Sequence, residues 1–168
     1  PPVITSSFPA EANYGDTVFL KGERFFPELQ SFEYSYGDFK YVNKNEAFYI
    51  IPWIFPARNN IVALAYDYEI YTTTFNFTTP QITIESVYPA EIQIGTEITI
   101  KMQRLPKSTR TKNVLCYIDG NSLQVLSVAN GEIKAKVYET NLCKDYPRLI
   151  VLIAGQSDAV TNLLHLNR

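Results

Sequence analysis

The chain repeats itself. Residues Gln81 to Lys101, QITIESVYPAEIQIGTEITIK, align without a gap on Pro1 to Lys21, PPVITSSFPAEANYGDTVFLK, at a constant offset of 80. Ile4, Ser6, Pro9, Ala10, Glu11, Gly15 and Lys21 recur as Ile84, Ser86, Pro89, Ala90, Glu91, Gly95 and Lys101. Those seven identities fall in the eighteen positions from Ile4 to Lys21, where average residue usage gives roughly one. Self-similarity at a fixed period means that one structural unit is built twice. The 168 residues are therefore expected to form two small domains, 1–79 and 80–168, each near the lower size at which a domain builds a core unaided.

The second copy shows the strand pattern more cleanly. Ile82 and Ile84, then Ile98, Ile100 and Met102, alternate with Thr83, Glu85, Glu97, Thr99 and Lys101. A period of two with one apolar face predicts a half-buried antiparallel sheet. Carried back by the offset, this facing puts Val18 and Leu20 inside and leaves Phe19 pointing outward.

Further along the first copy, Phe32, Tyr34 and Tyr36 alternate up to a Gly37-Asp38 turn. Ala47 to Phe55 reads as a strand interrupted by Pro52, which belongs at a sheet edge or bulge because it cannot donate to a ladder. Ile61 to Tyr66 and Ile70 to Phe77 form a hairpin around Asp67-Tyr68-Glu69, with Phe75 and Phe77 on one face and Asn76 on the other.

In the second copy, Leu105 to Asn113 is a basic polar loop. Val114, Cys116 and Ile118 alternate into Asp119-Gly120, Leu123 to Val128 ends at Asn130-Gly131, and Ile133, Ala135 and Val137 alternate again. Leu149 to Ala154, a turn at Gly155 to Asp158, and a strand from Val160 to Leu166 complete the copy. No segment sustains a helical period, so each copy is expected to hold about seven short strands.

Composition narrows the partners. A net charge of −2 and a pI near 5.5 leave no basic stripe for a nucleic acid or an anionic membrane. No run approaches the roughly 18 apolar residues of a membrane span, and no charged-then-apolar leader opens the chain. Because Pro1 and Pro2 already sit inside the repeat, the chain is expected to be a segment of a longer protein.

Catalytic chemistry finds no support. His165 is the single histidine and lies in a predicted terminal strand without the base and orienter that a nucleophile needs. No Gly-rich phosphate loop, calcium-type Asp/Asn/Gly string or CxxC pair is present, so no cofactor, metal or enzymatic activity is expected.

Cys116 and Cys143 lie 27 residues apart. They are read as one disulfide in an oxidising compartment, stabilising by about 3 kcal/mol on the chain-entropy model, against the alternative of two buried thiols. Asn76-Phe77-Thr78 is an N-glycosylation acceptor on an outward-facing position.

Aromatics carry the strongest binding signal. The chain has 12 Tyr and 10 Phe against one Trp, and Tyr34, Tyr36, Tyr41, Tyr49, Tyr66, Tyr68 and Tyr71 gather in the first copy. Tyrosine brings contact area at low entropic cost; strand propensity and core filling are the competing explanation. Tyr34, Tyr36, Tyr66, Tyr68 and Tyr71, with Phe19, are the candidate binding residues. Tyr68 at the hairpin apex and Phe19 on an outer face are expected to be the most exposed. Lys107, Arg110 and Lys112 of the basic loop are either solvated or face an acidic partner or glycan.

Ser6-Ser7-Phe8-Pro9 with Gly15 and Gly22, and Ser86-Val87-Tyr88-Pro89 with Gly95, resemble the opening of the immunoglobulin-like IPT/TIG module. The second copy departs from it with Met102 in place of Gly22. Tyr117-Ile118-Asp119-Gly120-Asn121 followed by Val125-Leu126-Ser127 is similar to the module's middle hairpin, and Gly155 sits where its last hairpin turns. The resemblance implies an all-β chain of two tandem immunoglobulin-like (IPT/TIG, E-set) β-sandwiches.

Such modules occur in receptor ectodomains of the plexin and hepatocyte-growth-factor-receptor type, in social-amoeba recognition proteins, in bacterial polysaccharide-handling enzymes and in Rel-type transcription factors. The acidic balance argues against the last of these, and the wealth of Tyr, Asn, Ile, Lys and Thr points towards the amoeba group. The expectation is a non-enzymatic extracellular or cell-surface fragment that recognises another cell-surface protein, the same or different, or mediates adhesion. The rivals are a carbohydrate-associated module of a bacterial surface protein or enzyme, and a rigid spacer.

Overall fold

The structure, a computed structural model, describes residues 1–32, 38–52, 59–107, 109–138, 144–153 and 156–167. The chain falls into two compact units, Pro1–Pro80 and Gln81–Arg168. Among the described residues both are built of strands, with one 3-10 turn at Thr111–Asn113.

The first unit contains β1 (Val3–Phe8), β2 (Thr17–Glu23), β3 (Gln30–Phe32), β4 (Asp38–Asn43), β5 (Glu46–Ile50), β6 (Asn59–Tyr66) and β7 (Glu69–Thr78). They form two antiparallel sheets, β1-β2-β5-β4 and β3-β6-β7. Alternation decides the facing: Val18 and Leu20 of β2 are buried while Phe19, Lys21 and Glu23 are exposed.

Val18, Leu20, Ala47 and Tyr49 from the four-stranded sheet share one core with Val62, Leu64, Phe75 and Phe77 from the other. This makes the unit a β-sandwich. Tyr49 is fully buried and meets Phe75 edge-on across the two sheets, with ring centroids 5.2 Å apart. Burial of the apolar ring of such a side chain contributes about 1.5–3 kcal/mol, before the cost of burying its hydroxyl.

The strand expected from Ala47 to Phe55 is shorter than its apolar run. β5 ends at Ile50 because it pairs on both sides, with β2 and β4, and an interior strand cannot continue through Pro52. Residues 53–55 of that expectation lie outside the described residues.

The second unit contains β8 (Thr83–Tyr88), β9 (Glu91–Ile92), β10 (Glu97–Gln103), β11 (Val114–Ile118), β12 (Asn121–Ser122), β13 (Gln124–Ala129), β14 (Glu132–Lys136), β15 (Leu149–Ile153), β16 (Gln156–Val160) and β17 (His165–Leu166). The sheets are β13-β14-β10-β8 and β12-β11-β15-β16, with a short parallel pair of β17 and β9. Ile98, Ile100, Ile133 and Ala135 from the first sheet, and Val114, Cys116, Ile118, Leu149, Val151 and Ile153 from the second, are all buried.

Two expectations for this unit are corrected. Gln156 to Asp158 is strand and not turn: β16 pairs with β15, and the Asp158 carboxylate accepts the Ile84 amide at 2.7 Å. Val160 to Leu166 is not one strand, because β16 ends at Val160 and Asn162 takes a left-handed φ of 69° before β17 begins.

Backbone punctuation matches between the units at the offset of the repeat. Phe8–Pro9 and Tyr88–Pro89 are both cis, Gly15 and Gly95 have φ of 80° and 89°, and Arg24 and Arg104 have φ of 58° and 62°. One residue bulges from the first strand of each unit, Thr5 in β1 and Glu85 in β8. The bulged residue reaches a matching lysine in each: the Thr5 hydroxyl donates to the Lys21 carbonyl at 3.1 Å, and the Glu85 carboxylate pairs with Lys101 Nζ at 3.6 Å.

Candidate functional site

The β6–β7 hairpin turns through two residues, Asp67 and Tyr68, between the paired Tyr66 and Glu69. Their φ values of 47° and 69° are both positive, as in the I′ turn whose twist matches that of the flanking strands. This conformation favours glycine at the second position, and the chain elsewhere supplies it: Asp119-Gly120 joins β11 to β12, and Asn130-Gly131 joins β13 to β14. At the second position of the β6–β7 turn stands Tyr68 instead, with its side chain wholly in solvent at 104% relative exposure.

Beside this turn the outer face of β3-β6-β7 is hollow. Ala65 on the central strand lies between Gln30 of β3 and Ile70 of β7, and Ala63 lies between Phe32 and Thr74. Small side chains on the middle strand between larger ones on the outer strands leave a groove. Its volume is about 580 Å³, and it is lined by Gln30, Phe32, Ala65, Tyr66, Asp67, Tyr68 and Ile70. Phe32, Tyr66 and Ile70 are each close to half exposed. Phe26, itself packed against the core, meets the Tyr66 ring edge-on at 5.2 Å and 87° and so fixes one wall.

The groove is acidic by composition. The segments that build it, residues 25–32 and 59–80, contain Glu28, Asp67 and Glu69 and neither Lys nor Arg. Among the described residues Asp67 and Glu69 enter no ion pair. The unit as a whole carries nine Asp and Glu against five Lys and Arg, whereas the second unit carries eight against ten.

Of the candidate binding residues, Tyr66 and Tyr68 come together in this groove. Tyr71 does not line it: the residue is half-buried and packs against the core. Burial, then the Glu69 carboxylate, then Tyr66 push its phenol pKa upward. Tyr34 and Tyr36 lie outside the described residues. Tyr49, which composition alone could not separate from the others, is core.

Phe19 belongs to a different surface. On the outer face of β1-β2-β5-β4 the register aligns Phe8, Phe19 and Phe48 on three adjacent strands, with Lys40 beyond them. Phe8 and Phe19 are exposed and Phe48 is partly so. The matching row of the second unit is Tyr88, Thr99, Lys134 and Ser127. Sequence reading found Phe19 and Tyr68 but missed Phe8, Phe32, Phe48, Ala65 and Ile70, whose roles depend on cross-strand register.

Other candidates have structural explanations. A polar hollow of about 490 Å³ beside the β4–β5 loop is lined by Thr5, Lys21, Gly22, Asn43, Lys44, Asn45 and Glu46. Its amides are already engaged, Asn43 Nδ2 with Glu46 at 3.0 Å and Asn45 Nδ2 with the Gly22 carbonyl at 2.9 Å. His165 pairs at 4.0 Å with Glu91 and lies over Tyr146, ring centroids 5.2 Å apart. Lys107, Arg110 and Lys112 are exposed around the 3-10 turn.

Asn76 is exposed on β7, opposite Ile61, while its Thr78 hydroxyl donates to the Ala10 carbonyl at 3.3 Å. Cys116 is a buried free thiol whose pKa burial pushes up to about 12. The disulfide expected with Cys143 is not shown, and Cys143 lies outside the described residues. Among the described residues no three His, Cys, Asp or Glu side chains gather to hold a metal, and no helix is long and apolar enough to cross a membrane.

The fold has relatives among solved structures. The full extracellular region of plexin A4 is 12% identical with a TM-score of 0.50, over 100% of this chain and 16% of that one. A protein of unknown function from Bacteroides thetaiotaomicron is 15% identical with a TM-score of 0.46, over 52% of this chain and 22% of that one. SGBP-B from a complex xyloglucan utilization locus in Bacteroides uniformis is 14% identical with a TM-score of 0.40, over 98% and 49%. This chain thus spans half or less of each, and likeness at such identity concerns the fold alone. Nothing in these likenesses supports a social-amoeba origin. No curated protein matches the chain in sequence. With both units built as immunoglobulin-like β-sandwiches, one segment is assigned by sequence: an IPT/TIG domain is found over residues 82–161, within the second unit.

Proposed function

We propose that this chain is a non-enzymatic fragment of an extracellular or cell-surface protein that recognises another protein, and that the groove holding Tyr66 and Tyr68 makes the contact. The first unit is read as a second IPT/TIG-like module, on the strength of the shared opening and matched backbone. One observation carries the functional reading. Tyr68 places a large aromatic side chain, fully exposed, at a left-handed turn position where two other two-residue turns among the described residues use glycine. Such a residue adds little to the core and costs backbone energy, which is how strain at a contact site presents itself. Exposed aromatic anchors are the residues on which recognition surfaces most depend.

The test is a binding screen of the purified chain against itself, other cell-surface ectodomains and glycans, repeated with Tyr68→Gly. A protein ligand lost with Tyr68→Gly supports the reading. A ligand retained by that variant moves the contact elsewhere, and silence across the screen leaves a rigid spacer.

A second reading rests on the row of Phe8, Phe19 and Phe48, an open aromatic strip on which sugar rings could stack. It would be favoured by a glycan hit that Phe19→Ala removes and Tyr68→Gly leaves alone.

A further inference from the structure

We infer that the groove beside the β6–β7 turn takes a cationic segment of its partner, an extended stretch bearing arginine or lysine. This deepens the proposed recognition function and rests on it. The groove offers a cation two kinds of attraction in one place. Aromatic faces come from Phe32, Tyr66 and Tyr68, all exposed, and a guanidinium or ammonium is drawn to such faces. A carboxylate comes from Asp67 in its wall, and Glu69, next to the lining Ile70 but outside the lining itself, adds negative charge beside the turn; neither is neutralised by an ion pair among the described residues.

Charge complementarity extends beyond the pair. No Lys or Arg occurs in residues 25–32 or 59–80, so a bound cation meets no competing cation on the strands that form the groove. An acidic ligand would have to approach Asp67 and Glu69 with no basic group there to receive it, and like-charge juxtaposition is how a surface rejects wrong partners. The Ala65 floor leaves room for the methylene stem of an arginine or lysine between Phe32 and Ile70, with the charged head at the Asp67 end. Arginine is favoured over lysine because its planar head can lie on a tyrosine face and reach a carboxylate together.

The experiment uses the whole chain and three extended decapeptides of equal length, alternating serine with arginine, glutamine or glutamate, read by fluorescence anisotropy. The arginine peptide should bind at least about tenfold more tightly than the glutamate peptide. Tyr68→Gly, which suits the turn, should weaken its binding about tenfold. Asp67→Asn with Glu69→Gln should weaken it about fivefold at low salt, and less as salt screens the charges. Ala65→Leu, which fills the groove from its outer face, should also weaken it.

Equal or tighter binding of the glutamate peptide, or arginine binding indifferent to Tyr68 and Ala65, would overturn the inference. If a glutamine peptide or a ligand from the screen binds in a Tyr68-dependent way while arginine brings no advantage, the recognition groove stands and its cationic preference falls. If no binding of any probe depends on Tyr68 or Ala65, both fall.

Discussion

A Cβ added to Gly22 would come within 2.5 Å of Phe25 Cζ and would run into the Val3 carbonyl oxygen. The ring of Phe25 therefore occupies the space that a side chain at position 22 would fill. In the second unit the matching position is Met102, which is buried, and the residue matching Phe25 is Leu105. The first unit thus leaves position 22 without a side chain beside a phenylalanine, whereas the second carries side chains of similar size at both matching positions. Because one obstacle at Gly22 is backbone, Gly22→Ala should destabilise the first unit by about 1–3 kcal/mol, measured as a lower urea midpoint.

Tyr68→Gly should act in the other direction. Removing a bulky residue from a φ of 69° relieves backbone energy, partly offset by the greater freedom of glycine in the unfolded chain. The expected gain is about 1 kcal/mol, seen as a raised melting temperature. Gly120→Tyr should cost the second unit a similar amount. A melting temperature lowered by Tyr68→Gly would show that the tyrosine serves the fold.

Cys116 should make stability fall in alkali. Burial raises its pKa from 9.0 to about 12, so below pH 9 both folded and unfolded chains keep the proton. Between pH 9 and 12 the unfolded chain gives it up while the folded one retains it, and the group's contribution is lost as pH rises. The slope is about 1.4 kcal/mol per pH unit within that window. Comparing denaturation of the natural chain and Cys116→Ala from pH 8 to 11 isolates the effect, because the other titrating groups are common to both. The natural chain should lose stability more steeply.

Asn76 should carry a glycan when the chain is exported through a eukaryotic secretory route. Its side chain is exposed on the outer face of β7, and the acceptor triplet is complete. Intact-mass measurement should show an addition that Asn76→Gln removes, and an unmodified mass would end this support for an extracellular life.

Strand facing was legible because a period of two depends on nearest neighbours alone. Val18, Phe19 and Leu20 could be placed from Ile98, Thr99 and Ile100 without knowing which strands pair. The apex at Asp67-Tyr68 was legible for the same reason, since turn chemistry is local. The groove was not. Gln30, Ala65 and Ile70 meet only through the pairing of β3, β6 and β7, and Phe8, Phe19 and Phe48 align only through that of β1, β2 and β5. β16 was misread because Gly155 and Asp158 have turn composition. Yet Asp158 is held by the amide of Ile84, 74 residues earlier.

The paired punctuation of the two units has a bearing on how they diverged. The bulges at Thr5 and Glu85, the left-handed arginines at 24 and 104 and the glycines at 15 and 95 hold the path of the main chain in common. One pair of rows that differs, Phe8-Phe19-Phe48 against Tyr88-Thr99-Lys134, points away from both cores. Every outward residue of the opening strands thus has a twin eighty positions away in the aligned repeat, between matched bulges and turns. The molecule carries its own internal standard: exchanging a side chain between twins asks what that group does while the scaffold beneath it stays the same.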